Sequence, residues 1–398
     1  MLSLAAMLAV LSYASPASAE LKIGGDASVR ARGQFNSSKL ATGAKGLTTD
    51  DNLVYQYRVR LKASADLGDG YFFKSLVQNE GVAGGWQSVS LLGTERNPLE
   101  VSNFYFGRTL KDCNYSLGRL PLNSFNNPIF DLALYPVPTA FTSSGIYAVD
   151  VPVATHNFDR VFGFNYGTKV GDGNLNAALV VLDNNSTSVG VAGRVDGLLN
   201  DGYALHLSYK TTAGDVTLEP QALIVLTDAQ GTAYQKVSPN TFGLNATVPA
   251  GKSKIGASAF YTTCKDSKGA TSTYAVTYPA TSTTAVAPAP TVASTQTAAN
   301  VNYSGYLLRL KGESGPAMAW IDYNRTKDKS TGTGLTETTY NNIFVWAQYN
   351  FKVQESAAAT FNVTPTIRYR TSGKEVAGST VTQKNNQLRG ELYATVTF

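Results

Sequence analysis

Between residues 21 and 35 the chain reads LKIGGDASVRARGQF, and its side chains alternate in character. Leu21, Ile23, Gly25, Ala27, Val29, Ala31, Gly33 and Phe35 are apolar or small, whereas Lys22, Asp26, Ser28, Arg30, Arg32 and Gln34 between them are polar. A period of two belongs to a strand; on a helix the same residues would scatter around the cylinder and leave no apolar stripe. The pattern recurs in LVYQYRVRLKASADL (53–67), which sets Arg58, Arg60 and Lys62 against Tyr57, Val59 and Leu61. It recurs again in AAATFNVTPTIRYR (357–370), where Arg368 and Arg370 oppose Ile367 and Tyr369. Weaker versions occupy 203–212, 241–248, 341–352 and 386–398; in the last, Arg389 and Glu391 oppose Gly390, Leu392, Ala394, Val396 and Phe398.

Alternation alone fits either a soluble sandwich or a membrane barrel, because both bury one face of each strand and wet the other. The connections separate the two. LGDG, KDCN, GDGN, TAGD, PAGK, GESG and QES are tight, and they alternate with long stretches at 37–51, 81–100, 121–158, 227–239, 265–300, 328–340 and 372–385. An up-and-down transmembrane barrel has short turns at one rim and long loops at the other, whereas a Greek key has no reason to obey that rule. The expected strands are 21–36, 52–67, 71–80, 101–110, 114–120, 159–170, 174–183, 203–212, 215–226, 240–249, 252–263, 302–311, 316–327, 341–353, 357–371 and 386–398. That makes an all-β antiparallel barrel of sixteen strands. SVGVAGRVDGLL (188–199) also alternates, but a seventeenth strand would break the long–short rule, so it is assigned to an external loop; eighteen strands stay open. The Thr-, Ala- and Pro-biased stretch within 265–300 reads as a mobile low-complexity external loop.

Composition agrees. With 22 Tyr, 17 Phe and 36 Gly but only 15 % charged residues, the chain is aromatic and glycine-rich, and no apolar run after Ala19 is long enough for a membrane helix. The formal charge of +5 implies no nucleic-acid partner. Two cysteines, Cys113 and Cys264, are too few for a disulfide framework and lack metal-ligand spacing, so neither metal nor cofactor is expected. The opening MLSLAAMLAVLSYASPASAE is an uncharged apolar run ending in Ala17-Ser18-Ala19, which reads as a signal peptide over 1–19 ahead of a single barrel over 20–398.

Taken with the two-sized connections and the export signal, FYFGRTLKDCNYSLGRLPL, the long insertion after it and the terminal Phe398 make the chain similar to the general diffusion porins of Gram-negative outer membranes. The resemblance implies an integral outer-membrane barrel whose third external loop, here 121–158, folds into the lumen. It also implies a homotrimer, surrounding lipid and lipopolysaccharide, and delivery by the barrel assembly machinery with Phe398 closing the assembly signal. Leu117-Gly118-Arg119 stands where such porins end their fifth strand.

In hydrocarbon no water satisfies a backbone amide, so a spanning sheet must close, and sixteen strands enclose more space than side chains can fill. Parity then sends Arg30, Arg32, Arg58, Arg60, Lys62, Arg368, Arg370 and Arg389 into a wet lumen, and closure joins the first and last strands into one basic wall, to which Arg119 is also assigned. Opposite it, the insertion carries Asp131 and Asp150 and no Lys or Arg, which would set a transverse field across the narrowest section. Passive diffusion of small hydrophilic solutes with modest anion preference is the reading. The alternatives are a substrate-specific anion channel, for phosphate for example, and a scaffold or receptor barrel with a plugged lumen. His206 and Ser208 share a strand face and His156 lies in the insertion, but G-x-S-x-G and metal-spaced His pairs are absent, so no enzyme is expected. Cys113 and Cys264 fall at opposite rims, so both thiols are expected to be free.

Overall fold

A computed structural model describes residues 21–39, 49–79, 86–89, 99–121, 127–130, 160–183, 202–226, 229–231, 234–237, 239–268, 271–276, 292–329, 331–333 and 336–398. Sixteen strands form the wall. They are β1 (Leu21–Lys39), β2 (Thr49–Gly68), β3 (Tyr71–Gln78), β4 (Glu100–Thr109), β5 (Cys113–Pro121), β6 (Arg160–Val170), β7 (Gly173–Asp183) and β8 (Gly202–Ala213). The second half comprises β9 (Val216–Val225), β10 (Asn240–Ala250), β11 (Ser253–Lys268), β12 (Val292–Ser314), β13 (Ala317–Asp328), β14 (Thr338–Tyr349), β15 (Thr360–Val376) and β16 (Gln383–Thr397). Each pairs antiparallel with the next, and β16 returns to β1 from Asp26 opposite Thr397 to Lys39 opposite Lys384. The last residue completes the seam: Phe398 N donates to Gly25 O at 3.0 Å and Gly25 N to Phe398 O at 2.7 Å. No unpaired edge is left at this junction, which is what a sheet in hydrocarbon requires.

Short turns gather at one rim because antiparallel order sends every even-to-odd connection there. Gly214 and Gly251, with φ of 60° and 62°, occupy the first position of two-residue loops closed by Ala213 opposite Val216 and Ala250 opposite Ser253. That is the signature of the type II′ hairpin, whose twist matches the strands and whose first residue needs a positive φ. The long connections, including the 226–239 stretch with its own small ladder of Ala229–Gly231 on Tyr234–Val237, leave from the other rim.

Exposure decides which face meets lipid. Ile23 is 61 % exposed and Val29 58 %, whereas Asp26 and Arg30 on the same strand are 3 % and 7 %. A soluble protein would reverse that order, so the outer surface is matched to hydrocarbon. Aromatic side chains stud it towards both rims: Tyr71, Phe351 and Phe398 near the short turns, and Phe35, Tyr55, Phe162 and Phe242 towards the long loops.

Several strands outrun their expected ends. The 265–300 stretch, expected as a mobile loop, is partly ladder: Lys268 pairs with Asn300, Thr271 with Thr297 and Val276 with Val292, carrying the β11–β12 hairpin outward. Its Thr and Val residues suit a pleated strand, and above the lipid band both faces of a ladder can be polar. The signal segment 1–19, the 188–199 segment, and Asp131, Asp150 and His156 of the insertion lie outside the described residues.

Candidate functional site

The basic side chains assemble on the lumen face of β1, β2, β15 and β16, which closure makes neighbours. Cross-strand register places them in rows. Lys311, Trp320, Trp346, Arg368 and Arg389 stand directly opposite one another from β12 to β16, and Arg389 faces Gln34 of β1 and donates to its amide oxygen. One row nearer the long loops come Arg309, Asp322, Phe344 and Arg370. One step towards the turns from the first row, Glu391 faces Arg32; the next row sets Tyr393 against Arg30 and Arg30 against Gln56. On β2, Arg58, Arg60 and Lys62 follow at intervals of about 7 Å along the strand, opposite Ser28, Asp26 and Gly24.

Glu391 is the hub. Its side chain is wholly buried and lies 3.2 Å from Arg30 and 2.7 Å from Arg368, while the Tyr393 hydroxyl donates to it at 2.7 Å. Arg368 in turn donates to the Tyr393 oxygen at 2.7 Å, and Arg30 donates to Gln56 at 2.8 Å. A carboxylate out of bulk water holds its charge only with such donors around it. Arg60 grips Asp26 with Nε 2.9 Å from both carboxylate oxygens, and Arg309 holds Asp322 at 2.6 and 2.8 Å. On the lumen face of the four seam strands the bases Arg30, Arg32, Arg58, Arg60, Lys62, Arg368, Arg370 and Arg389, with Lys22 and Lys374 towards the two mouths, outnumber the carboxylates Asp26, Asp66 and Glu391, and the field there is positive.

Aromatic rings interleave with the guanidinium groups, a feature the sequence reading missed. Arg30 and Arg58 lie 4.4 and 4.6 Å from the Trp86 ring, and Arg368 lies 3.7 Å from Trp346, which itself stacks on Trp320 at 4.8 Å with the planes 10° apart. All three tryptophans of the chain therefore line one sector of the lumen. Trp320 and Trp346 share parity with Asp322 and Gln348, and Tyr393 with Arg389 and Glu391, so alternation could have found them. Trp86 had no such signal. It comes from the long β3–β4 connection, where Val89 N donates to Tyr55 O, Gln87 and Ser88 pair with Tyr57 and Gln56, and Gln56 donates to the Ser88 hydroxyl at 3.0 Å.

A cavity of about 610 Å³ opens inside this sector, lined by Arg58, Arg60, Lys62 and Arg368, by Trp86, Trp346 and Tyr393, and by Asp26 with hydroxyls such as Ser28 and Thr366. A second space of about 530 Å³ continues towards the turns past Lys62, Lys22 and Lys74, two further lysines that stand on either side of Ser64.

Arg119 is not part of this wall. It stands opposite Phe104 and Phe162, both exposed on the outer surface, and shares the face of Leu117. The reason is alternation itself: Ser116 and Leu120 line the lumen, so Leu117 and Arg119 point out.

Across the lumen, β5 to β9 present buried apolar residues near the long-loop rim: Leu120, Val161, Val180, Ala204, Leu223 and Val225. Of the insertion, residues 127–130 are described. Asn127 donates to Gln221 of β9 at 2.7 Å and accepts from Asn245 of β10 at 3.2 Å, and Ile129 is fully buried. His206 also donates to the Gln221 amide oxygen, at 2.9 Å, and its cross-strand neighbours are Ala178 and Leu223.

Neither a protein-family model nor a curated protein matches the sequence. Solved structures do. The outer membrane channel DcaP of Acinetobacter baumannii superposes over 96 % of this chain and 99 % of its own, at 12 % identity and a TM-score of 0.51. The chain has the fold of that outer-membrane channel. An anion-selective porin from Comamonas acidovorans aligns over 95 % of this chain and 100 % of its own at 13 % identity and TM-score 0.47, and OmpT, an outer membrane protein of Vibrio cholerae, over 94 % and 97 % at 10 % and 0.48. On this fold, an apolar exterior around a polar lumen is that of an integral membrane barrel.

Proposed function

We propose that this barrel is a passive diffusion channel for small hydrophilic solutes with a modest preference for anions. The observation that carries the reading is the lumen wall of β1, β2, β15 and β16, where basic side chains outnumber carboxylates beside a cavity of about 610 Å³. An anion entering that sector exchanges part of its hydration for guanidinium and ammonium donors, whereas a cation meets like charge. Lys22 and Lys74 extend the positive lining to the short-turn mouth.

The insertion belongs to the same reading as a loop folded into the lumen, its acids being Asp131 and Asp150, which lie outside the described residues. Its support is Asn127, which reaches from the β5 side to Gln221 and Asn245, and the buried apolar lining of β5 to β9, which needs a cover that water cannot provide. Homotrimeric assembly, lipopolysaccharide around the exterior and delivery by the barrel assembly machinery complete the proposal. His206 sits against an amide with apolar neighbours on both adjacent strands, a setting that suits a packed lumen residue better than a general base.

The test is the zero-current potential of the purified protein in a planar bilayer under a potassium chloride gradient. A potential of the sign set by chloride supports the reading; clear cation preference, or no conductance, overturns it.

A further inference from the structure

We infer that the lumen space beside Lys62 and Lys74, at the short-turn end of the barrel, is a transient binding site for multivalent oxyanions. The inference rests on the anion-channel reading and adds a preference by valence. The space holds about 530 Å³, and its polar lining includes Lys22, Lys62, Lys74, Ser64, Asn103 and Tyr105. Among the described residues no carboxylate lines it.

Register brings the lysines to one place. Lys22 of β1 and Lys74 of β3 both stand opposite Ser64 of β2, and Lys62 follows two residues along the same face of β2. Lys62 is therefore the diagonal neighbour of both, at a separation of about 7–8 Å that long side chains span. Lys62 and Lys74 are the charges the site depends on, and Lys22 borders them. Both are exposed to the lumen, and neither forms an ion pair among the described residues. Lys74 lies 5.3 Å over the Phe72 ring, a contact that occupies at most one of its three donors. Asp66 borders the adjoining space of about 430 Å³ with Lys22 and Lys74, and accepts from the Gly68 amide at 3.0 Å. Base still outweighs acid at this mouth.

The residue type decides what is selected. An ammonium is a compact point charge on a flexible stem, without the planar fork of a guanidinium, so it discriminates by charge and not by the shape of a head group. A monovalent anion satisfies one lysine and leaves the other repelled. A divalent anion bridges Lys62 and Lys74 and relieves their repulsion. Because both side chains stay in contact with water, the bound anion leaves again, as conduction requires.

The experiment titrates sodium sulfate against the chloride current of the full-length protein in a planar bilayer, beside sodium methanesulfonate, a monovalent anion with a similar tetrahedral head. Sulfate is expected to reach half-block at a concentration roughly fivefold below that of methanesulfonate, the factor that one further unit charge beside an ammonium is worth in water. Lys62→Gln combined with Lys74→Gln should bring the two half-block concentrations together. Lys74→Gln alone, a change at a solvated side chain, supplies the same reading should the double variant fail to insert. Lys74→Arg keeps the charge and should keep the sulfate preference. Equal block by the two anions, a sulfate preference that survives both Gln substitutions, or one lost equally in Lys74→Arg overturns the inference. Anion preference without preference for sulfate would sink this site alone, whereas cation preference would sink the channel reading beneath it.

Discussion

Glu391 and Arg368 meet inside the barrel with the Arg368 Nε 2.7 Å from the Glu391 carboxylate, whose side chain has no solvent exposure. The same carboxylate lies 3.2 Å from Arg30, so one buried anion ties β16 to both of its neighbours. Glu391→Gln keeps the shape and removes the charge. It should strengthen anion preference and lower stability by about 3 kcal/mol, the scale of leaving buried cations without their partner. Zero-current potential and the temperature at which the folded species disappears in detergent check the two halves separately.

Arg58 and Arg60 give the converse prediction. Replacing both with Gln removes two lumen cations and leaves Asp26 without the Arg60 fork that now lies 2.9 Å from each of its oxygens. The zero-current potential should move towards cations, and the shift should shrink between 0.1 M and 1 M salt as the screening length falls from about 10 Å to about 3 Å. A potential indifferent to both substitutions would place the narrow section elsewhere in the lumen.

How much of this the sequence shows follows from where lipid imposes a rule. Inside the hydrocarbon band one face must be apolar, and Val29 against Arg30 or Ile367 against Arg368 reads directly as outside against inside. Glycine punctuation at Gly214 and Gly251 marks the turns for an equally local reason. Beyond the band both faces meet water and the rule lapses while the ladder continues, which is why β12 begins at Val292 although its alternation starts near residue 302. Trp86 lies in a connection that carries no period, and its place between Arg30 and Arg58 depends on a pairing with Gln56 and Tyr57 distant in sequence. Arg119 was legible, since it shares parity with Tyr115 and Leu117; the Leu-Gly-Arg resemblance suggested the wall, and alternation overrules it.

Closure of the barrel can be tested at Gly25. A Cβ there would lie 2.3 Å from the Arg60 carbonyl oxygen and 3.1 Å from the Phe398 ring, so two backbones and the terminal side chain already fill the space. Gly25→Val should cost about 3 kcal/mol, as overpacking against an unyielding backbone does, and should reduce the yield of heat-resistant barrel. Gly33→Ala on the same strand is the control, because a Cβ there meets nothing within 4 Å. Equal yields from the two variants would contradict the β1–β16 seam.

The two cysteines report on which rim is which. Cys113 opens β5 beside a short turn and is partly exposed, whereas Cys264 lies on the long-loop half of β11 and is 1 % exposed; neither forms a disulfide. The membrane band between the rims, about 25 Å in barrels of this kind, keeps them far beyond the separation of roughly 4–7 Å that a disulfide tolerates between Cα atoms. Intact mass should therefore be unchanged by reduction. In vesicles, a maleimide carried on a polymer too bulky for the lumen should reach Cys113 only from the short-turn side, and Cys264 should react only after the barrel is unfolded. A gain of two hydrogens on reduction, or labelling of Cys113 from the long-loop side, would mean that the strands do not run as the alternating connections require.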